Sequence, residues 1–433
     1  MSETEIVLTG CSHDCGGRCM LKVHVEQGRI VRIETDTRGE PQLRACLRGR
    51  AYRQRVYSPD RLKYPMKRTG DRGKGEFERI SWDEALDTVA RELIRMRDTY
   101  GNASILYIGG SGSQSALHHS KVVEDMLASF GGFTRPWGDA SFEGALFASM
   151  ATYGTMATGN AWEDLLNSRL IIMWGWNPAV TVWDTNTNYI LAQAKEKGIR
   201  IISIDPRFTA STAVFASEWI PIRPSTDAAM LVAMAHVMMR DGLQDQEFID
   251  SYTVGFDKFR RYVMGEEDGI PKTPAWAEEI TRVPAATIER LATEYATTKP
   301  AALIPGWGPA RAAMGEQFCR AANTVIAMTG NIGIKGGYAG GFMRAFRPPL
   351  PRPRGARNAV EQDTPPRQNS LHKLKGAGNP TGARIHNLKL YDAMFKGKAG
   401  GYPADLKLAY IVGCNLLTSR PNTNKGIAAL KNL

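Results

Sequence analysis

Apolar positions along this 433-residue chain switch between short continuous runs and helical spacing. HVEQGRIVRIETD at 24–36 alternates about Gly28 and predicts a hairpin. SWDE at 81–84 is a capping box, and Leu86, Val89, Ala90 and Leu93 follow at helical intervals, so a helix is expected over 82–98. ASILYIGG at 103–110 reads as a buried strand entering a Gly-rich turn, with a helix over 115–130. RLIIMW at 169–174, the turn GWNP, a helix over 185–197 closed by Gly198, and IRIISID at 199–205 form a βαβ unit with two parallel strands. Helices over 226–241 and 284–297 precede the strand AALIP at 301–305, a second Gly-rich turn, and a helix reaching Met328. Residues 344–367 are too rich in Pro and Arg for an element interior and read as an exposed loop, and LKLAYIVGCN at 406–415 is a last strand and turn.

Strands that alternate with helices and end in Gly, Asn, Asp or Pro argue for doubly wound α/β domains with ligands at the carboxyl ends of the strands. A small β-rich module is expected at 1–58, a first, discontinuous α/β domain at 59–135 plus 300–433, and a second at 136–299. Ending eighteen residues after Asn415, so soon after a new strand, makes the first α/β domain look incomplete.

Composition narrows the function classes. With 43% hydrophobic and 23% charged residues the chain is an ordinary folded protein. A formal charge of +11 favours an anionic ligand or partner, yet Lys and Arg are dispersed and no basic helix is interleaved with aromatics, which argues against nucleic acid. The longest apolar stretch, MLVAMAHVMM at 230–239, is too short to span a bilayer and carries His236. The N-terminus has neither a signal peptide pattern nor a twin-arginine pair, so nothing in the chain as given directs export.

Cys11, Cys15, Cys19 and Cys46 stand in the spacing C-x3-C-x3-C-x26-C. Four thiolates from one loop and one returning segment suit an iron–sulfur cube, with tetrahedral zinc or free thiols as the alternatives. His13 lies inside the loop as a bystander, and Cys319 and Cys414 read as structural thiols. Four turns share one logic: GGSGS at 109–113, GWNP at 175–178, IDPRFT at 204–209 and GWGPAR at 306–311 each follow a strand, where free amides can cradle phosphate and Arg207 or Arg311 can add charge. Any one of them is equally an ordinary turn; gathered along one crevice they suit a large phosphorylated ligand.

CSHDCGGRC, RACLRGRAYRQRVYSPDRLKYPMKR at 44–68, ERISWDEA at 78–85, WGDAS at 137–141, WGWNP at 174–178, IDPRFT, EWIPIRPSTDAA at 218–229 and TGNIGIKGG at 329–337 resemble the catalytic subunits of the dimethyl sulfoxide reductase family of molybdenum enzymes. The resemblance implies one 4Fe-4S cluster on Cys11, Cys15, Cys19 and Cys46, and a molybdenum held by two molybdopterin guanine dinucleotides. It places the protein ligand of the metal at Ser141, with Asp139 as the competing candidate, puts Arg48 between cluster and pterin, and puts Trp137 at the substrate funnel. Gly110, Trp176, Asn177, Asp205, Arg207, Asp227, Gly306, Gly308, Arg311 and Asn415 fall in the dinucleotide-binding segments. The implied reaction is oxygen-atom transfer that reduces an S-oxide or N-oxide, with an iron–sulfur electron-transfer subunit and a membrane anchor subunit as partners. Two other readings stand beside it: a non-redox hydratase or transhydroxylase, and a non-catalytic iron–sulfur binding module. Family members usually carry a C-terminal β-barrel domain and a twin-arginine leader. Neither is in this sequence, so the chain reads as cytoplasmic as it stands, or as periplasmic if a leader precedes it.

Overall fold

The computed structural model describes residues 4–11, 13, 15, 19–40, 43–109, 120–138, 141–155, 158–182, 186–341, 355–362 and 382–433. These fall into two compact units, one drawn from Met1–Ala140, Pro351–Gln368 and Pro380–Leu433, the other from Ser141–Leu350 and Asn369–Asn379.

The first unit opens with an antiparallel sheet of Glu5–Gly10, Met20–Glu26 and Arg29–Thr35. Gln27 and Gly28, at φ +50° and +74°, make the tight turn between the second and third strands, the left-handed pair that matches strand twist. Leu21, Val23 and Ile33 point to one face and form a small core with Ala45, Cys11 and Cys19. The short helices Leu47–Arg50 and Tyr52–Val56 follow.

Ser81 Oγ accepts from Glu84 N at 3.0 Å and starts the helix Trp82–Tyr100, which ends at Gly101 with φ +78°. The reciprocal half of the capping box is diverted, because the Glu84 carboxylate pairs with Lys67 at 3.1 Å. Leu93 and Met96 are buried, whereas Trp82, Leu86 and Val89 remain exposed. The strand Ile105–Gly109 pairs in parallel with Leu408–Val412. Its alternating side chains enter two cores: Leu106 and Ile108 meet Leu390, Met394 and Leu416, while Ile105 and Tyr107 meet Leu93, Met96, Leu127 and Phe133. A second, two-residue parallel pair joins Pro136–Trp137 to Ile385–His386.

Part of the expected exposed loop is tied down. Asn358 Oδ1 accepts from Phe133 N at 2.9 Å and its Nδ2 donates to Phe133 O at 2.8 Å, so one side chain acts as a strand neighbour. Glu361 bridges Arg135 at 2.7 Å and Arg384 at 2.9 Å.

The second unit is built on a four-stranded parallel sheet in the order Glu218–Ile220, Arg200–Ile204, Leu170–Trp174, Ala301–Pro305. The helix Thr187–Glu196 joins the strands of the expected βαβ unit. Asp227–Arg240, Pro274–Thr281, Ala285–Thr297 and Glu316–Met328 pack into the same core. Near-continuous apolar runs make these strands, which fits a parallel sheet covered on both faces.

This sheet corrects the expected domain boundary. Residues 300–341 do not join the first α/β unit, because Ala301–Pro305 is laddered to Leu170–Trp174, with Ala301 opposite Leu170 and Pro305 opposite Trp174. The strand order reverses between those two strands, and the crevice outside their carboxyl ends is the ligand position of an open α/β sheet.

Candidate functional site

The cysteine module follows from its hairpin. Cys11 directly follows the first strand, Cys19 directly precedes the second, and Cys11 N donates to Cys19 O at 2.8 Å, closing the loop that carries Cys15. Cys11, Cys15 and Cys19 are buried, and Cys46 sits half-buried immediately before the helix Leu47–Arg50. The Cys11 thiol is pulled down to about 6 by a hydrogen bond from Cys19, with help from the His13 amide and the charges of His13 and Arg48. The same bond pushes Cys19 up, and burial and the charges of Cys11, Cys46 and Cys15 push in the same direction. The four sulfurs therefore feel one another, and the first proton leaves the pair far more readily than the second. Gly49 lines this loop closely: a Cβ there would lie 3.4 Å from Cys11 Sγ. The donor set is soft and anionic, which fits iron. Among the described residues no three His, Cys, Asp or Glu side chains form a group that could hold a single metal ion. His13 Nε2 lies 3.3 Å from Arg48 O, and its ring packs edge-on against Tyr52.

At the reversal of the second unit's sheet, two of the Gly-rich turns pack directly on each other. Gly306 N donates to Trp174 O at 2.7 Å, and Gly175 N donates to Ile204 O at 2.8 Å. A Cβ on Gly306 would lie 2.1 Å from Gly175 O, and one on Gly308 3.2 Å from the same atom. Close approach of backbone to backbone explains both glycines, and the Gly306 amide is already engaged within the turn. Trp176 is buried and stacks on Trp162 at 5.0 Å between ring centroids. Asn177 Oδ1 accepts from Ser211 Oγ at 2.6 Å and from Ser211 N at 3.2 Å, locking this loop to the start of the helix Ala210–Phe215.

Two carboxyl groups stand at the same end of the sheet. Asp205 Oδ1 accepts from Arg207 N at 2.9 Å, and burial raises its carboxyl above the usual range against the pull of that amide. Asp227, at the first turn of Asp227–Arg240, accepts from Trp174 Nε1 at 2.9 Å; burial raises it too, and Asp205 adds repulsion. Arg207 is exposed, and among the described residues its guanidinium makes no ion pair.

Ser141 begins the second unit, just before the helix Glu143–Tyr153, and its carbonyl accepts from Arg311 Nε at 2.8 Å. Arg311 thus reaches the Ser141 backbone. In the first unit Trp137 packs edge-on against His386 at 4.5 Å. Arg48 is exposed beside Cys46, and Asn415 is exposed just beyond the strand Leu408–Val412, where its carbonyl accepts from Ser419. Gly110 and Asp139 lie outside the described residues.

Sequence reasoning passed over Glu361, Asn387 and Arg420. Asn387 Nδ2 donates to Gly138 O, and Arg420 Nη2 donates to Asn387 Oδ1 at 2.7 Å. Asn387 and Gly138 are 249 positions apart, so no local pattern marks the pair. Among the described residues no helix is long and apolar enough to cross a membrane.

The model of the molybdopterin oxidoreductase Fe4S4 domain matches residues 4–58, and that of the molybdopterin oxidoreductase matches residues 61–433. A dimethyl sulfoxide reductase of Escherichia coli strain K12 is 41% identical over 387 residues, covering 83% of this chain and 48% of that protein. A dimethyl sulfoxide/trimethylamine N-oxide reductase of Rhodobacter capsulatus is 32% identical over 442 residues, covering 94% of this chain and 52% of that protein. The chain spans about half the length of the curated relatives it matches. Among solved structures, acetylene hydratase from Pelobacter acetylenicus superposes with a TM-score of 0.61 over 97% of this chain and 59% of that one. At 21% identity, that likeness shows the fold alone.

Proposed function

This chain belongs to the molybdopterin oxidoreductase family, and we propose that it serves a reductase that removes the oxygen atom from a small S-oxide or N-oxide. The observation that carries the proposal is a serine at 141, held by Arg311 through its backbone, in the segment WGDAS where the resemblance puts the protein ligand of the metal. Relatives named for dimethyl sulfoxide and trimethylamine N-oxide support the substrate class.

In this reading Cys11, Cys15, Cys19 and Cys46 hold one 4Fe-4S cluster, their soft, anionic sulfurs suiting iron. Arg48 adds a positive charge beside Cys11, which favours arrival of an electron there. Two molybdopterin guanine dinucleotides would be held at the carboxyl ends of the strands. The segments holding Gly110, Trp176, Asn177, Asp205, Arg207, Asp227, Arg311 and Asn415 would bind them, with Gly306 and Gly308 shaping their turn through backbone packing. When bound, the molybdenum supplies two-electron exchange of an oxygen atom, so that R2SO, two electrons and two protons give R2S and water. Ser141 would supply the oxygen ligand, Arg311 fixes the backbone that carries it, and Trp137 would lie at the substrate funnel. Electrons come from an iron–sulfur partner subunit with its own membrane anchor.

The test uses the full-length protein prepared without oxygen. It should contain about four irons per cluster, which Cys15→Ala should remove, and molybdenum. With reduced viologen it should consume an S-oxide, and Ser141→Ala should keep the iron and lose most of the turnover. Stoichiometric zinc in place of iron, or full turnover in Ser141→Ala, refutes the assignment concerned.

A further inference from the structure

We propose that Asn387, oriented by Arg420, is a positioning residue for the strand Pro136–Trp137, which precedes Ser141 in the sequence; the inference rests on the reading of Ser141 as the metal's protein ligand. The strand concerned is Pro136–Trp137, and its only ladder partner among the described residues is the two-residue strand Ile385–His386. So short a ladder holds little. Pro136 has no N–H to give it, and the outermost ladder contact is Ile385 N to Arg135 O at 3.3 Å, near the long limit for such a bond.

Where the ladder stops, a side chain continues it. Gly138 has φ +82°, a left-handed conformation that turns its carbonyl off the strand line, and Asn387 Nδ2 donates to that carbonyl. Asn387 directly follows the strand Ile385–His386, so the bond extends the pairing by one more residue. An asparagine amide can present either end, and Arg420 decides which. Its Nη2 donates to Asn387 Oδ1 at 2.7 Å, leaving the NH2 as the group that faces Gly138. Arg420 is itself placed by a contact from Nη1 to Cys414 Sγ at 3.7 Å. At the other end of the same strand, Glu361 ties Arg135 to Arg384, the residues just before each member of the pair. Gly138 stands three residues before Ser141 in the sequence, inside the segment WGDAS.

The experiment uses the full-length holoenzyme and four variants: Asn387→Ala, Asn387→Asp, Arg420→Met and Arg420→Lys. Hydrogen exchange read by mass spectrometry reports the strand directly, and the Mo(V) electron paramagnetic resonance signal reports the metal. Asn387→Ala, Asn387→Asp and Arg420→Met should accelerate exchange in peptides covering 135–138 by about tenfold, the scale of one lost amide–carbonyl bond. Exchange in the sheet containing Leu170–Trp174 should not change, and iron and molybdenum contents should be retained. The Mo(V) signal should split into more than one species, and kcat should fall with KM nearly constant. Arg420→Lys retains a donor to Asn387 Oδ1 and should restore all of these readings toward wild type. Unchanged exchange at 135–138 in both Asn387 variants overturns the proposal, and so does acceleration spread evenly over the chain. If exchange rises locally but Ser141→Ala leaves the Mo(V) signal intact, the Asn387 pin stands and the ligand assignment falls.

Discussion

Gly306→Ala tests whether the Gly-rich turns exist for a ligand or for each other. The added Cβ would sit 2.1 Å from Gly175 O, 2.5 Å from Gly175 C and 2.8 Å from Trp176 Cα. All three are backbone atoms, and none can swing aside as a side-chain tip would. Gly175 is fixed in turn: its N–H is committed to Ile204 O at 2.8 Å, its φ is +58°, and Pro309 Cδ lies 2.4 Å from where its own Cβ would be. The overlap with oxygen exceeds 1 Å relative to an ordinary contact, so the cost belongs at or above the top of the usual overpacking range, about 3 kcal/mol. For a unit of this size that lowers the melting temperature by about 6–12 °C. Gly308→Ala is the control, because its Cβ would meet one atom only, Gly175 O at 3.2 Å; its shift should stay near about 1 kcal/mol, or about 2–4 °C. Calorimetry on full-length protein made in cells unable to synthesise the pterin measures both variants without ligand. If Gly306→Ala melts like wild type there and falls behind only when the cofactor is present, the packing argument is wrong and the glycine serves the ligand.

Two pH-dependent outcomes follow from the charged groups. Burial alone would raise the Glu361 carboxyl, but hydrogen bonds from Arg384 and Arg135 outweigh it and leave the group below the usual range. Its contribution is therefore present above the ordinary glutamate value of about 4.3 and fades as pH falls through the lower folded value. Glu361→Gln should melt below wild type at pH 7, with the gap narrowing in acid; a gap of constant size from pH 7 to 3 refutes this. Asp227 has the opposite sign, since burial raises it and its ionised form opposes folding above that raised value. Asp227→Asn retains an acceptor for Trp174 Nε1 and should melt above wild type at pH 8 in cofactor-free protein, the advantage closing as pH falls toward about 4. A variant that is less stable than wild type throughout would show that the ionised form is needed for packing.

Strand positions were legible because a buried parallel strand leaves a short apolar run that few other elements produce. RLIIMW contains the strand Leu170–Trp174, IRIISID contains Arg200–Ile204, and AALIP is the strand Ala301–Pro305 to the residue. Sheet membership was not legible. A run that is apolar on both faces carries no mark of its neighbour, so sequence alone groups 301–305 with the first α/β unit although it ladders with 170–174. Helical periodicity had a similar limit at Trp82–Tyr100: the spacing of Leu86, Val89 and Leu93 located an apolar face, but only Leu93 of the three is covered. Periodicity reports which side of a helix is apolar, and only tertiary structure reports what lies against it.

The candidate site divides along the same line. The four candidate cysteines stand out in the sequence because the chemistry needs a rare residue type and three of the four come from one hairpin loop, so that spacing and geometry are nearly the same information. Gly306 was read for its amide, yet that amide is spent on Trp174 O; a glycine in a sequence marks a permitted backbone approach without saying whether a ligand or another turn makes it. The groups that fix the approach to Ser141 are more common residues, Glu361, Asn387 and Arg420, and none has chemistry of its own to advertise. They acquire a role only because the strand Ile385–His386 is laid beside Pro136–Trp137. It follows that substitutions here should separate into two kinds of defect. Changes at Gly306 or Gly175 should cost stability before any cofactor is bound, whereas changes at Asn387 or Arg420 should leave the fold in place and loosen the strand Pro136–Trp137.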